Sequence, residues 1–187
     1  MIEVEVKARA PEDIAERITA LGAALLAVEN HHDLYFNSPQ RDFRFSDEAL
    51  RIRIKEEGAR LTYKGPKLDQ TTKSRLERTV KIDDPLQMEQ ILSALGFVRS
   101  AQVRKQRCKY SYEGVILALD EVEGLGCFVE VEAEGAGDYE EQRQKVLSIL
   151  SRLGLSESIR SSYLELLEEK KKNDENDVNN RDPSSNV

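Results

Sequence analysis

Hydrophobic and polar residues alternate strictly over the first seven positions: Ile2, Val4 and Val6 fall on one phase, Glu3, Glu5 and Lys7 on the other. Successive side chains of a β-strand point to opposite faces, so this pattern predicts a strand with one dry and one charged face. Pro11 to Leu21 then reads as a helix. Ile14, Ile18 and Leu21 recur at helical spacing, Pro11 suits the first turn, Glu12 and Asp13 suit its positive end, and Gly22 stops it. A short strand around Leu34 to Asn37 leads into a loop with Ser38, Pro39 and Asp42. Alternation returns at Leu50 to Lys55, with Leu50, Ile52 and Ile54 against Arg51, Arg53 and Lys55. Glu57-Gly58 reads as a hairpin turn, Leu61 to Lys64 as the returning strand, and Gly65-Pro66 as a further turn.

The pattern then restarts. Glu3, Val6, Lys7, Pro11, Leu21 and Gly22 meet Glu77, Val80, Lys81, Pro85, Leu95 and Gly96 at a constant spacing of 74 residues. Asp84 is placed to cap the second helix, and Ile91, Leu92 and Leu95 give it an apolar face. Strands follow at Val103 to Tyr112, Val115 to Val122 and Phe128 to Glu134, so each half reads β-α-β-β-β. A third helix, Tyr139 to Leu153, precedes Gly154, and Arg160 to Leu167 is a short closing segment. The expected fold is α+β: about eight antiparallel strands closed into a barrel, with helices packed outside.

Composition limits the function. A chain of 187 residues with 39% hydrophobic content suits one domain, and no apolar run approaches a membrane span. Met1 leads straight into the charged strand, so no signal peptide is expected. Cys108 and Cys127 lack metal-ligand or redox spacing, as expected of a cytoplasmic protein with reduced thiols. A net charge of −7 argues against a general nucleic-acid binder. His31 and His32 form no ligand set with the cysteines and read as exposed, and no Ser-His-Asp arrangement or Gly-rich phosphate loop appears. Residues 168–187 are Lys, Asn, Asp, Glu and Ser with little to bury, which predicts a disordered charged tail after a domain of residues 1–167.

The charged phases change the picture. A single strand of this kind is ordinarily a solvated surface strand, with both signs intermingled. Here Arg51, Arg53, Lys64, Lys105 and Arg107 make basic strands, and Glu3, Glu5, Asp120, Glu130 and Glu132 acidic ones. A hairpin through Gly124-Leu125-Gly126 brings Asp120 near Glu130. Clustered carboxylates repel unless a cation neutralises them, and hard divalent metals take oxygen ligands. Clustered Arg and Lys need anions, and phosphate oxygens bind both the metal and the bases. A barrel with these linings suits a metal-bound polyphosphate. An internal salt-bridge network without a ligand is the competing explanation, and it is a costly way to build structure alone.

Glu3-x-Glu5-x-Lys7, Arg51-x-Arg53, Thr62-x-Lys64-Gly65-Pro66, Arg75-x-Glu77, Lys105-x-Arg107, and Asp120 with Glu130-x-Glu132 occur in this order. Together they resemble the CYTH superfamily, the triphosphate tunnel metalloenzymes, over residues 1 to about 167. The resemblance implies a closed antiparallel barrel whose tunnel binds a triphosphate substrate and Mg2+ or Mn2+. It implies metal-site carboxylates at Glu3, Glu5, Asp120, Glu130 and Glu132, and triphosphate contacts at Arg51, Arg53, Lys64, Arg75, Lys105 and Arg107. Catalytic positions fall at Lys7, as a phosphate contact or an aid to the nucleophile, and at Glu77. Asp33-x-Tyr35-Phe36 resembles a segment near the tunnel mouth, and Arg160-x-Ser162-Tyr163-x-x-Leu166-Leu167 the closing motif. Thr79 departs from the frequent Arg-x-Glu-x-Glu pattern and removes one tunnel carboxylate. A homodimer is compatible with the resemblance; a nucleic-acid or membrane partner is not expected.

Asp120-x-Val122-x-Gly124-Leu125-Gly126-x-Phe128-x-Glu130 is similar to the class IV adenylyl cyclase-like subgroup. That resemblance implies conversion of ATP to 3′,5′-cyclic AMP and pyrophosphate. Hydrolysis of inorganic or thiamine triphosphate is the alternative, because both chemistries use the same metal and clamp. A non-catalytic polyphosphate binder ranks lower, since the carboxylates Glu3, Glu5, Asp120 and Glu130 are retained.

Overall fold

The computed structural model describes residues 2–135 and 137–179. Its strands are β1 Ile2–Glu3, β2 Glu5–Arg9, β3 Ala24–Asn37, β4 Ala49–Lys55, β5 Gly58–Lys67, β6 Arg75–Ile82, β7 Val98–Tyr112, β8 Val115–Val122 and β9 Gly126–Ala133. The helices are α1 Ile14–Ala20, α2 Pro85–Ala94, α3 Tyr139–Arg152 and α4 Tyr163–Asn179. All strands join one antiparallel sheet in the order β1-β6-β5-β4-β3-β7-β8-β9-β2. The two ends of that order are one stretch of chain, since Val4 alone separates β1 from β2. Glu3 lies opposite Arg75 of β6, while Glu5 to Arg9 lie opposite Glu132 to Phe128 of β9. The sheet therefore curls until both edges meet on the amino-terminal strand, as an eight-stranded barrel requires. Closure is firm against β9 and thin against β6, where two residue pairs and the Lys73 N–H donating to the Glu5 carbonyl at 3.0 Å hold the seam.

The two expected β-α-β-β-β halves are both present. Gly22 and Gly96, 74 residues apart, take φ values of 82° and 87°. Gly22 N–H donates to Thr19 and Ala23 N–H to Ile18; Gly96 N–H donates to Ser93 and Phe97 N–H to Leu92. Both helices thus end in the same pair of backbone bonds around a left-handed glycine, a conformation that costs glycine little. Their beginnings differ. Asp84 accepts from the Leu86 and Gln87 N–H groups at 2.9 and 3.0 Å, whereas Pro11 to Asp13 form a turn and α1 starts at Ile14.

Several elements depart from the sequence pattern. β3 begins at Ala24, ten residues before the expected strand, because it pairs along β7 from Ala24 to Asn37. Leu25, Leu26 and Val28 in that extension are exposed, so its large apolar residues mark no buried face. Gly65-Pro66 lies within β5, at the register shift between Lys64 and Lys67, and is not a turn. A bulge takes up the extra residue and spares the ladder a bond that proline cannot donate. The charged stretch after Leu167 continues α4 to Asn179 where disorder is expected, and residues 180–187 of that tail lie outside the described residues. Glu and Lys are strong helix formers, and Glu168 with Lys172 has the supporting i,i+4 spacing.

α1 and α3 cover one outer side, burying Ile14, Ile18, Val146, Ile149, Leu150 and Leu153 against Val4, Val6, Val129 and Val131. α2 contributes Leu92 to a second cluster with Leu34, Phe36 and Ile52. A third cluster, Tyr35, Val103, Val122 and Phe128, is joined by Tyr163 of α4. Among the described residues, no helix is long and apolar enough to cross a membrane.

Ile18 is fully buried, whereas Leu95 on α2's C-terminal end is 65% exposed. Ile18→Ala is therefore expected to lower unfolding free energy by about 2–5 kcal/mol, the usual range for emptying an aliphatic core site. Leu95→Ala is expected to change it by less than about 0.5 kcal/mol. Chemical denaturation of the two variants checks the pair.

Candidate active site

Strand register carries the charged phases to one side of the sheet. Asp33 lies opposite Arg53, Arg51 opposite Thr62, Thr62 opposite Thr79, Lys64 opposite Glu77, and Glu5 opposite Glu132. Directly opposed residues share a face. The result is a cavity of about 430 Å³ lined by Glu3, Glu5, Arg51, Arg53, Lys64, Arg75, Glu77, Lys105, Arg107, Glu130 and Glu132. A larger hollow of about 1060 Å³ lies among Asn30, His32, Arg104, Gln106, Glu121 and Glu123 and shares His31, Lys55 and Lys105 with the first. It holds none of Glu3, Glu5, Glu77, Glu130 and Glu132, so the smaller cavity is the candidate site.

On the basic wall, each guanidinium is oriented by a buried carboxylate. Arg53 forks onto Asp33 through Nε and Nη2 at 2.7 and 2.6 Å, and Arg51 Nη1 stands 3.5 Å from the same group. Burial alone would raise the Asp33 carboxyl, but Arg53 and Arg51 hold it far below the usual carboxylate range. Arg51 Nε is buried and meets no hydrogen-bond partner in the chain. Asp120 accepts from Lys105 at 2.8 Å, from Arg107 Nε and Nη2 both at 2.6 Å, and from the Tyr163 hydroxyl at 2.7 Å. Burial, with Arg107 beside it, pushes the Lys105 ammonium down to about 8. Fully buried and committed to these donors, Asp120, to which the resemblance assigns a metal-site role, is not on the cavity lining and orients the bases.

The opposite wall gathers Glu3, Glu5, Glu77, Glu130 and Glu132. Lys64 bonds to Glu77 and lies 3.4 Å from Glu3; Lys73 donates to Glu5 at 2.6 Å and to Glu130 at 2.9 Å. Arg107 also reaches Glu130. Burial, reinforced by the charges of Glu3 and Glu5, pushes the Glu132 carboxyl up to about 8. Burial likewise raises Glu77 to about 7, with Lys64 opposing and Glu3 reinforcing. Carboxyls that retain protons beside other carboxylates mark a wall short of positive charge. All its donors are oxygens, the set that Mg2+ or Mn2+ takes, so the residues fit such an ion. Among the described residues, no three acidic or histidine side chains form a ready cage, as lysines are interposed.

Other residues occupy unexpected places. Lys7 is fully buried and absent from the lining; its ammonium donates to the Ser161 carbonyl and sits 4.3 Å from the Tyr163 ring centroid. Burial, with the charge of Lys73 second, pushes it down to about 7. It anchors the closing segment instead of facing the cavity, because Phe128 and Tyr163 fill that end of the barrel. Arg75 stays on the lining, 3.7 Å from Asp47. His31, expected on the surface, is only 4% exposed and bonds Glu29 at 2.7 Å; burial and Arg53 push its pKa down to about 3. Its phase with Asp33 and Tyr35 was the available signal. Asp33 is only 2% exposed and lines the cavity, and Lys73 on the connection before β6 carried no periodic signal.

A carboxyl raised in the fold keeps a proton that the unfolded chain has released. Its contribution to stability is present below the unfolded pKa and is lost as pH rises through the folded value. For Glu132 this loss runs from about pH 5 to about pH 8 in metal-free protein. Glu132→Gln is expected to flatten that fall, with a higher Tm than the parent at pH 8 and little difference at pH 5. Thermal unfolding across this range, in chelator, checks it.

The CYTH domain profile matches residues 1–163 of this chain. A Methanocaldococcus jannaschii protein named putative adenylate cyclase is 41% identical over 172 residues, covering 89% of this chain and 98% of the relative. The solved structure of the PH1819 protein from Pyrococcus horikoshii OT3 has a TM-score of 0.84 at 44% identity, covering 90% of this chain and 99% of that one. A Hippeastrum protein described as a putative adenylyl cyclase with a dominant triphosphatase activity shares the fold at 24% identity and a TM-score of 0.68, with 90% and 95% of the two chains covered. With its profile match spanning both halves of the barrel, the chain belongs to the CYTH domain family.

Proposed function

We propose that this chain is a divalent-metal-dependent enzyme that holds a triphosphate in the barrel and converts ATP to 3′,5′-cyclic AMP and pyrophosphate. The observation that carries the reading is one cavity with an acidic wall of Glu3, Glu5, Glu77 and Glu132 and a basic wall of Arg51, Arg53, Lys105 and Arg107. Glu3, Glu5, Glu130 and Glu132 hold the ion, which supplies charge neutralisation at the phosphate oxygens when bound. Arg51, Arg53, Lys64, Lys105 and Arg107 bind the remaining oxygens, and Asp33 and Asp120 fix the guanidinium planes before substrate arrives. Such preorganisation stabilises charge that spreads over non-bridging oxygens as the bond to the leaving pyrophosphate breaks. Ring closure also releases a proton from the ribose 3′-hydroxyl. Glu77, a carboxylate of the cavity lining bonded to Lys64, is assigned to accept it. Lys7 supports this site by holding the closing segment through Ser161.

One observation favours a second reading, hydrolysis of inorganic or thiamine triphosphate. The lining is ionic almost throughout, and Tyr35, Phe43, Ile116, Tyr163 and Leu164 are its few large apolar side chains, so little surface is offered to a purine. The Hippeastrum protein, described with a dominant triphosphatase activity, has the same fold. Fold alone does not choose between the two.

Product analysis separates them. Incubation with ATP and Mg2+ or Mn2+ is expected to yield cyclic AMP and pyrophosphate; orthophosphate from inorganic or thiamine triphosphate, without cyclic AMP, replaces the cyclase assignment by hydrolysis. In either case Glu5→Gln is expected to lower metal-dependent turnover by more than about 100-fold, beyond the loss typical of an outer-shell partner. Full turnover in that variant, with circular dichroism unchanged, removes Glu5 from the metal site.

A further inference from the structure

We infer that Lys73 is a built-in placeholder cation: its ammonium occupies the Glu5–Glu130 side of the acidic wall in the metal-free chain and is displaced when a divalent ion binds. The inference rests on the metal-dependent reading above and concerns a residue which the family's motifs, as matched here, do not include.

Lys73 is aimed by a connection built to hold it. Its own N–H donates to the Glu5 carbonyl at 3.0 Å, and its neighbours Thr72 and Ser74 are fully buried. Asp69 accepts from the Thr72 N–H at 2.7 Å and from the Tyr139 hydroxyl of α3, while Arg160 Nη2 donates to the Asp69 carbonyl at 2.6 Å. The side chain that leaves this connection is 9% exposed and ends between Glu5 Oε1 at 2.6 Å and Glu130 Oε1 at 2.9 Å. Nearby carboxylates hold the ammonium charged despite its burial.

Two carboxylate oxygens that close to one ammonium are not free to ligate. A divalent ion brings twice the charge and oxygen-seeking coordination, so it competes for the same two groups. The competitor is tethered, however, and the chain binds metal only from the fraction of molecules in which Lys73 has moved away. Apparent affinity falls by that fraction. Lys73 lines the cavity, so phosphate oxygens held there are natural acceptors for its ammonium once it is displaced. Lys73 therefore links the two ligands: metal frees the lysine for the triphosphate, and the triphosphate draws the lysine away from the metal site. Exchange of one cation for another also keeps Glu5 compensated at each stage, while Arg107 stays on Glu130.

The test is a Mn2+ titration of the full chain without nucleotide, reading free Mn2+ by electron paramagnetic resonance. Lys73→Met is expected to bind Mn2+ at least about tenfold more tightly than the parent, because the closed fraction is abolished. Lys73→Arg retains the charge and is expected to show no gain. Equal or weaker binding by a folded Lys73→Met overturns the inference. A measurement on the unaltered chain covers the case in which that variant does not fold. Acetylation of Lys73, followed by peptide mass spectrometry, is expected to rise several-fold on adding Mn2+; unchanged labelling with Mn2+ bound overturns the placeholder role and leaves the metal site standing. Absence of Mn2+ binding by both the parent and Lys73→Met overturns the metal-dependent reading itself, and this inference with it.

Discussion

The structure depends on one strand bonding along both of its sides. Residues 2 to 9 pair with β6 through Ile2 and Glu3 and with β9 through Glu5 to Arg9, which turns an open sheet into a barrel. Without that closure, Glu3 and Glu5 would not face Glu77 and Glu132, and the acidic wall would not exist. The switch of partner happens at Val4, between the two carboxylates. Glu3 thus belongs to the β6 side and Glu5 to the β9 side, while both point inward. The same few residues both close the fold and line its cavity.

Closure brings an electrostatic constraint. Charges withdrawn from water must be paired, hydrogen-bonded or neutralised. The basic wall meets this internally: Asp33 serves Arg51 and Arg53, and Asp120 serves Lys105 and Arg107. The acidic wall meets it less completely. Lys64 and Lys73 reach four of its carboxylates, and Glu77 and Glu132 hold their protons towards neutral pH. That asymmetry supports the metal-dependent reading: the wall whose charges are not fully compensated is the one to which the proposal assigns the cation.

The two halves share an architecture but not a role. Ile18 and Leu92 occupy equivalent buried helix positions, and both helices end on the same glycine motif. Yet Val6 is buried under the α1–α3 layer, whereas its counterpart Val80 is 57% exposed. Lys7 is enclosed by Phe128 and Tyr163, whereas Lys81 faces outward into solvent. α3 and the start of α4, which follow the duplicated halves, cover and plug one side of the barrel only. The asymmetry of the site comes from these additions to a repeated frame.

Strict two-residue alternation in the amino-terminal strand and in β4, with the repeated helix stops, made the strand phases, the duplication and most of the cavity lining legible in the sequence. Alternation fixes which face a side chain takes, because that is a local property of extended backbone. It does not fix depth, partner or what lies at the end of a barrel. Lys7 is on the inward phase as expected, but only the packing of Tyr163, more than 150 residues away, removes it from the cavity. Asp120 is also inward, and only the register of β7 against β8 commits it to Lys105 and Arg107. Lys73, outside every strand, acquires its place from the seam between Lys73 and Glu5 and from the loop tied to α3. The sequence by itself determined most of the strands and their charged faces, and carried the resemblance to the family. The tertiary structure decided which of those charges are committed to one another and which face the cavity, since pairing between distant strands is a matter of distance and burial that no local periodicity records.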